Sequence, residues 1–284
     1  MRYESPTTTR EAVALLTKEK GKGYVLAGGT DLLVRLRTGL IEPDLMVDIK
    51  RIPAMTEIKK TQSGFKIGAA VSGAMLGRNK ALVKAWPGVV EAANLIGSDQ
   101  IQGRCTMVGN LCNASPAADS VPALIAAGAK AVVVGKSRRT VPVEKIATGP
   151  GKTSLAKGEI IEAITLPNRA PKSGDAYLRF IPRTEMDIAV VGVGINLTLK
   201  KGLIENARVA LGAVAPTAIL VQAAADAIIG TKLDDEALDA LAEACSAACK
   251  PIDDKRGTIE YRKRVAGVLA RRTAKIAYER AGGK

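Results

Sequence analysis

The sequence contains no histidine, and that absence alone excludes a good deal of chemistry. Ser-His-Asp and Cys-His nucleophiles both need an imidazole base, and histidine is the commonest metal ligand. Cysteine is scarce too, with four residues at Cys105, Cys112, Cys245 and Cys249. Their spacings fit neither a zinc ribbon nor a ferredoxin-type cluster, so no metal site is expected. Cys245 and Cys249 stand one helical turn apart among alanines and read as buried packing, with reduced thiols as the default. Aromatic residues make up 3% of the chain, which leaves Ala, Val, Leu and Ile to pack the interior and few rings to stack on single-stranded nucleic acid. Long apolar runs are missing: "IAVVGVGI" is far short of the roughly 20 residues that span a bilayer. The start, "MRYESPTTTREAV", lacks an apolar h-region and a small-residue cleavage site. A soluble, cytoplasmic protein without a membrane span is expected.

What is present is an ordinary globular composition, 47% hydrophobic and 25% charged over 284 residues, long enough for two domains or three small ones. The net charge of +14, from 42 Lys plus Arg against 28 Asp plus Glu, suits an anionic ligand, an acidic partner, nucleic acid or simply a solvated basic surface. No helix-turn-helix or zinc-finger pattern accompanies it, so nucleic acid is not expected.

Along the chain, residues 1–55 read as helix, strand, helix, strand. "TREAVALL" carries a capping box, Thr8 with Glu11, and an apolar face at Ala12, Leu15 and Leu16. "YVLAGG" and "LMVDI" are strands, "DLLVRLR" restarts a helix after Thr30, and Pro53 closes the unit. Residues 56–172 follow an α+β order. "GFKIGA" is a strand, "GAMLGRNKALVKAWPGVVEAANLIG" is helical in two pieces broken at Pro87, and a small-residue loop, "GRCTMVGNLCNASPAADS", precedes a helix with Ser120 as N-cap. "AVVVG", "RRTVPV" and "EIIEAITLP" are strands. From 173 to 284, "AYLRFIPR", "DIAVVGVGINLTLK" and "ENARVALGAV" read as an antiparallel meander, followed by helices near 217–229, 234–249 and 257–281.

Two glycine clusters fail as nucleotide motifs. "ATGPGKTS" has Ile146 where a Walker A loop needs glycine, and "GVGINL" lies inside a strand and lacks a third glycine. "VLAGGTDLL" fits better, because two glycines follow a strand and precede a helix with Thr30 at its N-cap. Backbone there can approach an anion closely, although a plain strand–turn–helix has the same pattern. The loop from Gly103 to Ser120 has a similar character. Gly109, Asn110, Asn113, Ser115 and Asp119 offer N–H donors, amides and a carboxylate suited to ribose hydroxyls. Two such turns, far apart in sequence, suggest one ligand carrying phosphates and a ribose, gripped from two sides.

"LAGGTDLL", "TMVGNLCNASPAADS", "EIIEAITLP" and "AYLRFIPRTEMDIAVVGVG" occur in an order that resembles the FAD-binding medium subunit of the molybdenum hydroxylases, the xanthine dehydrogenase and aerobic carbon monoxide dehydrogenase type. The resemblance covers essentially the whole chain. It implies an α+β fold: an FAD-binding domain of PCMH type in two subdomains, 1–55 and 56–172, then a C-terminal domain, 173–284, of a three-stranded antiparallel sheet plus a helical bundle. It also implies a site. Val25, Leu26, Ala27, Gly28, Gly29, Thr30, Asp31 and Leu32 would bind the pyrophosphate of FAD, and Thr106, Met107, Val108, Gly109 and Asn110 would continue the grip. Asp119 would take ribose hydroxyls, Ile161 would meet the adenine side, and Arg179 would stand near the flavin where many relatives have lysine. Val108 replaces the first glycine of the usual Gly-Gly-Asn. Arg179 keeps a lysine's charge but changes its donor geometry. No Cys-rich insertion that would carry an extra cluster is present.

The implied function is electron transfer in a three-part enzyme. Substrate would be oxidised at a molybdenum cofactor in a large subunit, and electrons would pass through 2Fe–2S clusters of a small subunit to FAD here and on to NAD or another acceptor. No acid, base or nucleophile is then needed from this chain, so no catalytic residue is expected and the chain would not act on substrate alone. Two rivals are a free-standing flavin-dependent oxidoreductase and a basic nucleotide- or nucleic-acid-binding protein without catalysis.

Overall fold

The computed structural model describes residues 1–283. The chain opens with β1 (Arg2–Glu4), α1 (Thr9–Lys18), β2 (Gly23–Leu26), α2 (Leu32–Arg37) and β3 (Leu45–Asp48). The strands form a parallel three-stranded sheet in the order β1-β3-β2. Thr8 caps α1 by accepting from the Glu11 N–H. The Glu11 carboxylate reaches back to the Thr7 N–H, so the capping box closes one residue early. Ala12 and Leu16 of α1 are buried, and they join Leu45 and Val47 of β3 in one apolar cluster.

The second unit contains β4 (Ile58–Thr61), β5 (Gly64–Gly68), α3 (Gly73–Arg78), α4 (Lys80–Ala85), α5 (Pro87–Ala93), α6 (Asp99–Gln102), α7 (Met107–Cys112), α8 (Ser120–Ala126), β6 (Lys130–Val134), β7 (Arg138–Pro142), β8 (Ala147–Gly149), β9 (Lys152–Thr153) and β10 (Ile160–Pro167). Its five-stranded antiparallel sheet runs β4-β5-β10-β6-β7. Three expectations change here. The helical stretch after Gly73 has three pieces rather than two, because Asn79 accepts from the Leu82 N–H and starts a new helix. The small-residue segment is not loop throughout: Thr106 Oγ1 accepts from the Gly109 N–H and opens α7. Ser120 is the first helical residue of α8, not its cap, and Asp119 at the cap position makes no capping bond. Glu162, in β10, is 3% exposed. It accepts both Nη groups of Arg138 at 2.8 Å, Lys66 Nζ at 2.7 Å and Thr9 Oγ1 at 3.2 Å, which ties α1 to this second sheet. The register of β10 with β6 shifts between Ile161 and Ala163, so Glu162 sits on a bulge.

The last unit holds β11 (Ser173–Phe180), β12 (Val191–Lys200), β13 (Leu203–Gly212), β14 (Ile219–Leu220), α9 (Gln222–Asp226), α10 (Asp235–Ala248) and α11 (Ile259–Arg280). The expected meander is present, but the sheet has four strands, not three. Ile219 and Leu220 pair with Leu211 and Ala210 instead of starting a helix at 217. Cys245 in α10 and Cys249 at its C-cap are buried, and burial pushes their thiols up to about 12 and about 11. Two apolar cores result. One is shared by both N-terminal sheets and reaches Tyr177 and Ala210, and the other lies between β12, β13 and the last helices. Gly194 faces α8 so closely that a Cβ would lie 2.6 Å from the Pro122 carbonyl oxygen. Close packing, not nucleotide binding, accounts for "GVG".

Candidate functional site

The β2–α2 turn, the start of α7 and the start of β10 converge on a cleft of about 420 Å³. Of the first expected segment, Val25, Ala27, Gly28, Gly29, Thr30, Asp31 and Leu32 line it; of the second, Thr106, Val108, Gly109 and Asn110 do; Ile161 does as well. Leu26 and Met107 belong to the same segments but are buried, 7% and 3% exposed, and line no part of the cleft.

Glycines bring the two turns together. A Cβ on Gly28 would lie 2.1 Å from the Arg104 carbonyl oxygen, so this turn rests directly on the backbone that leads into α7. Gly29 has φ +80°, in the left-handed region that a side chain disfavours. Helical bonding begins when the Leu33 N–H meets the Gly29 carbonyl at 3.0 Å. The N-cap of α2 is Asp31 rather than Thr30, and its side chain makes no capping bond. Lys50 Nζ holds the turn from behind, donating to the Ala27 carbonyl at 3.1 Å and to Asp48 Oδ1 at 2.7 Å.

The main-chain N–H groups of Gly28, Gly29, Thr30, Asp31 and Leu32 have no acceptor among the described residues, and neither does that of Val108. Free amide donors from both turns therefore flank one cleft, an arrangement that suits a pyrophosphate. Asn110 Oδ1 accepts from the Ser120 N–H at 3.1 Å and the Ser120 hydroxyl at 2.7 Å, which leaves its NH₂ as the group free to donate. Side-chain charge adds little net field. Arg35 lies on the wall with Asp31 and Glu159, and Arg139 binds Glu159 at 2.8 Å, holding its carboxyl below the usual carboxylate range. Anion recognition here falls to the backbone. Gly109 adds room, since a Cβ there would meet one atom within 4 Å, Thr106 Oγ1 at 3.0 Å. Val108 is buried in the first core at 6% exposure. Ile49, Ile96, Leu155, Ile160 and Ile161 supply the apolar walls an aromatic ring system requires. The residues present fit a dinucleotide.

Asp119 and Arg179 are not among the lining residues. They are bound to each other, Arg179 Nη1 donating to Asp119 Oδ2 at 2.9 Å, with the Tyr177 hydroxyl 3.4 Å from Oδ1. Burial raises the Asp119 carboxyl to about 6 against the opposing pull of Arg179 and Tyr177. Tyr24, Arg35, Ile96, Gly151, Leu155 and Glu159 line the cleft without having been anticipated. Arg35 was within reach of inference, one helical turn after Asp31. Gly151 was not, because its place depends on a bond from its N–H to the Ala114 carbonyl across the fold. Cys105 and Cys112 also line the cleft, and burial pushes their thiols up to about 11 and about 12.

Residues 1–169 match the family model described as the FAD binding domain in molybdopterin dehydrogenase, and residues 176–277 match the CO dehydrogenase flavoprotein C-terminal domain. The chain belongs to the FAD-binding medium subunits of the molybdenum hydroxylases. As such it is an oxidoreductase flavoprotein subunit, and FAD is its cofactor. It is 32% identical over 279 residues to the carbon monoxide dehydrogenase medium chain of Hydrogenophaga pseudoflava, covering 98% of this chain and 97% of that one. It is 30% identical over 286 residues to the xanthine dehydrogenase FAD-binding subunit of Escherichia coli O157:H7, covering 99% and 97%. A solved structure of the Hydrogenophaga carbon monoxide dehydrogenase, in a form lacking the Mo-pyranopterin moiety of the molybdenum cofactor, has a chain that superposes with a TM-score of 0.94 at 33% identity, covering 99% and 98%. No helix among the described residues of this medium subunit is long and apolar enough to cross a membrane.

Proposed function

We propose that this medium subunit binds FAD non-covalently in the cleft and passes electrons from 2Fe–2S clusters of a small partner subunit to NAD or another acceptor. Substrate oxidation then takes place at a molybdenum cofactor in a large partner subunit, and the assembly is cytoplasmic. One observation carries this reading: free main-chain N–H donors from two separate units face each other across a cleft with apolar walls. Bound FAD supplies the redox chemistry, exchanging electrons singly or in pairs. The chain's own part is to hold it. The turn from Val25 to Leu32 and the turn from Thr106 to Asn110 take the pyrophosphate, and Ile161 packs on the adenine side. Asp119 and Arg179 act as positioning residues that fasten α8 to β11. The direct ribose and flavin contacts implied for them by the resemblance are tested by a variant described below.

The division 1–55, 56–172 and 173–284 is part of the same proposal, supported by the three-stranded sheet falling in the first segment, the five-stranded sheet and the small β8-β9 pair in the second, and the four-stranded sheet in the third. The net charge of +14 favours an acidic partner face, so assembly should weaken as salt screens it. A visible spectrum of the purified chain tests the cofactor, and acid precipitation tests its attachment. Flavin bands are expected, with all the flavin left in the filtrate. Colourless protein, or flavin retained on the precipitate, would overturn this reading. With both partners added, substrate should bleach the flavin, which it should not do with the isolated chain.

A further inference from the structure

The charged side chains on the cleft wall largely offset one another, yet a cation outside the wall is coupled to the first donor turn. Strands β2 and β3 end side by side, with Leu26 opposite Asp48. The residues just past each strand are therefore neighbours: Ala27 on one side, and a short helical turn, Ile49–Arg51, on the other. Ile49 lines the cleft and Lys50 does not. Lys50 Nζ instead donates to the Ala27 carbonyl oxygen at 3.1 Å. That carbonyl and the Gly28 N–H belong to one peptide unit, which is trans. In a trans peptide the two groups point in opposite directions, so the Gly28 N–H is directed away from Lys50. It has no acceptor among the described residues, and Gly28 lines the cleft.

An ammonium at a carbonyl oxygen draws electron density out of the peptide. The N–H at the other end then carries more positive charge and donates more strongly, as linked hydrogen bonds do. The ammonium is also fixed in place. Asp48, 6% exposed, accepts from Lys50 Nζ at 2.7 Å and from the Lys50 N–H at 2.9 Å, both on Oδ1. Its Oδ2 accepts from the Tyr3 hydroxyl at 2.6 Å. Burial alone would raise the Asp48 carboxyl, but the bonds from Lys50 and Tyr3 outweigh it and hold the group below the usual carboxylate range. The anion that orients Lys50 therefore persists at neutral pH.

We propose that Lys50 is a positioning residue for the pyrophosphate. Acting through the Ala27–Gly28 peptide, it fixes the donor turn and strengthens the Gly28 N–H as a donor to a phosphate oxygen, without touching the ligand. This role rests on the cleft being the FAD site.

Calorimetric titration of the flavin-free full chain with ADP, which carries a pyrophosphate, and with adenosine, which does not, separates this role from a general loss of structure. Lys50→Met should weaken ADP binding at least about tenfold, the loss expected when a charge-assisted bond is removed. Adenosine binding should stay within about twofold of wild type. Lys50→Arg, which keeps the charge and the donors, should recover most of the ADP affinity. Where Lys50→Met folds poorly because it strands the Asp48 carboxylate, the double variant Asp48→Asn, Lys50→Met removes both charges and carries the same expectation. ADP affinity unchanged by loss of the ammonium, equal losses for ADP and adenosine, or an arginine variant no better than the methionine one would overturn the proposal. A wild-type chain that binds ADP no more tightly than adenosine would overturn the pyrophosphate site itself, and this role with it.

Discussion

Replacing Gly28 by alanine tests the way the cleft is assembled. The added Cβ would lie 2.1 Å from the Arg104 carbonyl oxygen and 2.8 Å from its carbon. Backbone on both sides leaves no flexible side chain to swing away, so the two segments must separate by about an ångström, a strain typically costing 1–3 kcal/mol. Arg104 stands two residues before Thr106, so that separation also pulls one set of N–H donors from the other. If a bound pyrophosphate then loses two amide bonds of about 1.5 kcal/mol each, FAD affinity falls roughly a hundredfold. Gly109→Ala makes the contrast. Its Cβ would meet Thr106 Oγ1 alone, and alanine is the better helix former by up to about 1 kcal/mol. Folding should therefore survive while the methyl group crowds the ligand. Urea titration of the flavin-free proteins and quenching of FAD fluorescence separate the two outcomes. If Gly28→Ala keeps wild-type stability and a Kd within about twofold of wild type, the close approach described here does not govern the site.

Glu162 gives the pH dependence. Bonds from Arg138 above all, then Lys66, outweigh burial and hold its carboxyl at about 2, below the ordinary 4.5. Its contribution is thus present above pH 4.5 and is lost as pH falls towards 2; with Arg138 half in solvent, about 2 kcal/mol is at stake. Glu162→Gln should flatten the acid limb of stability measured by urea midpoints from pH 6 to pH 3, and an unchanged slope would count against it. Asp119→Asn leaves the Arg179 guanidinium buried without its anion, and about 3 kcal/mol of stability should be lost with FAD affinity nearly kept. A ten- to hundredfold loss of affinity with stability intact would instead mean a direct ribose contact. Cys245, 0% exposed and with its thiol pushed up to about 12, should resist alkylation at neutral pH until the protein unfolds; rapid labelling of the native chain, located by peptide mapping, would contradict its burial.

The sequence made the donor turns legible because small residues between a strand and a helix have few other uses. "GGTDLL" and "TMVGN" are placed opposite each other by their residue types alone. The boundaries were harder. α7 hid within a run of Gly, Asn and Cys because its helix is only six residues long and rests on a cap from Thr106 to the Gly109 N–H. β14 is two residues long and exists only through its pairing with β13. The sequence held no sign that Arg179, sixty positions on, would pair with Asp119. Long-range pairing of charges is what local pattern cannot supply. The same holds for Gly151, whose turn was apparent and whose position on the cleft was not.

The bulge at Glu162 makes β10 two strands spliced out of phase. Before the splice, Ile160 and Ile161 line the cleft. After it, Ala163 to Pro167 carry the pairing with β5 that holds the sheet together. The splice itself is pinned by Arg138, Lys66 and Thr9. The positions that line the cleft and the positions that pair with β5 thereby fall on opposite sides of the splice, while both stretches pair with β6. Apolar exchanges at Ile160 and Ile161, which are buried in the first core, can reshape the pocket while the pairing with β5 stays in register. Deleting Ile161 would do the reverse, moving the carboxylate of Glu162 into the place of an isoleucine on the cleft wall.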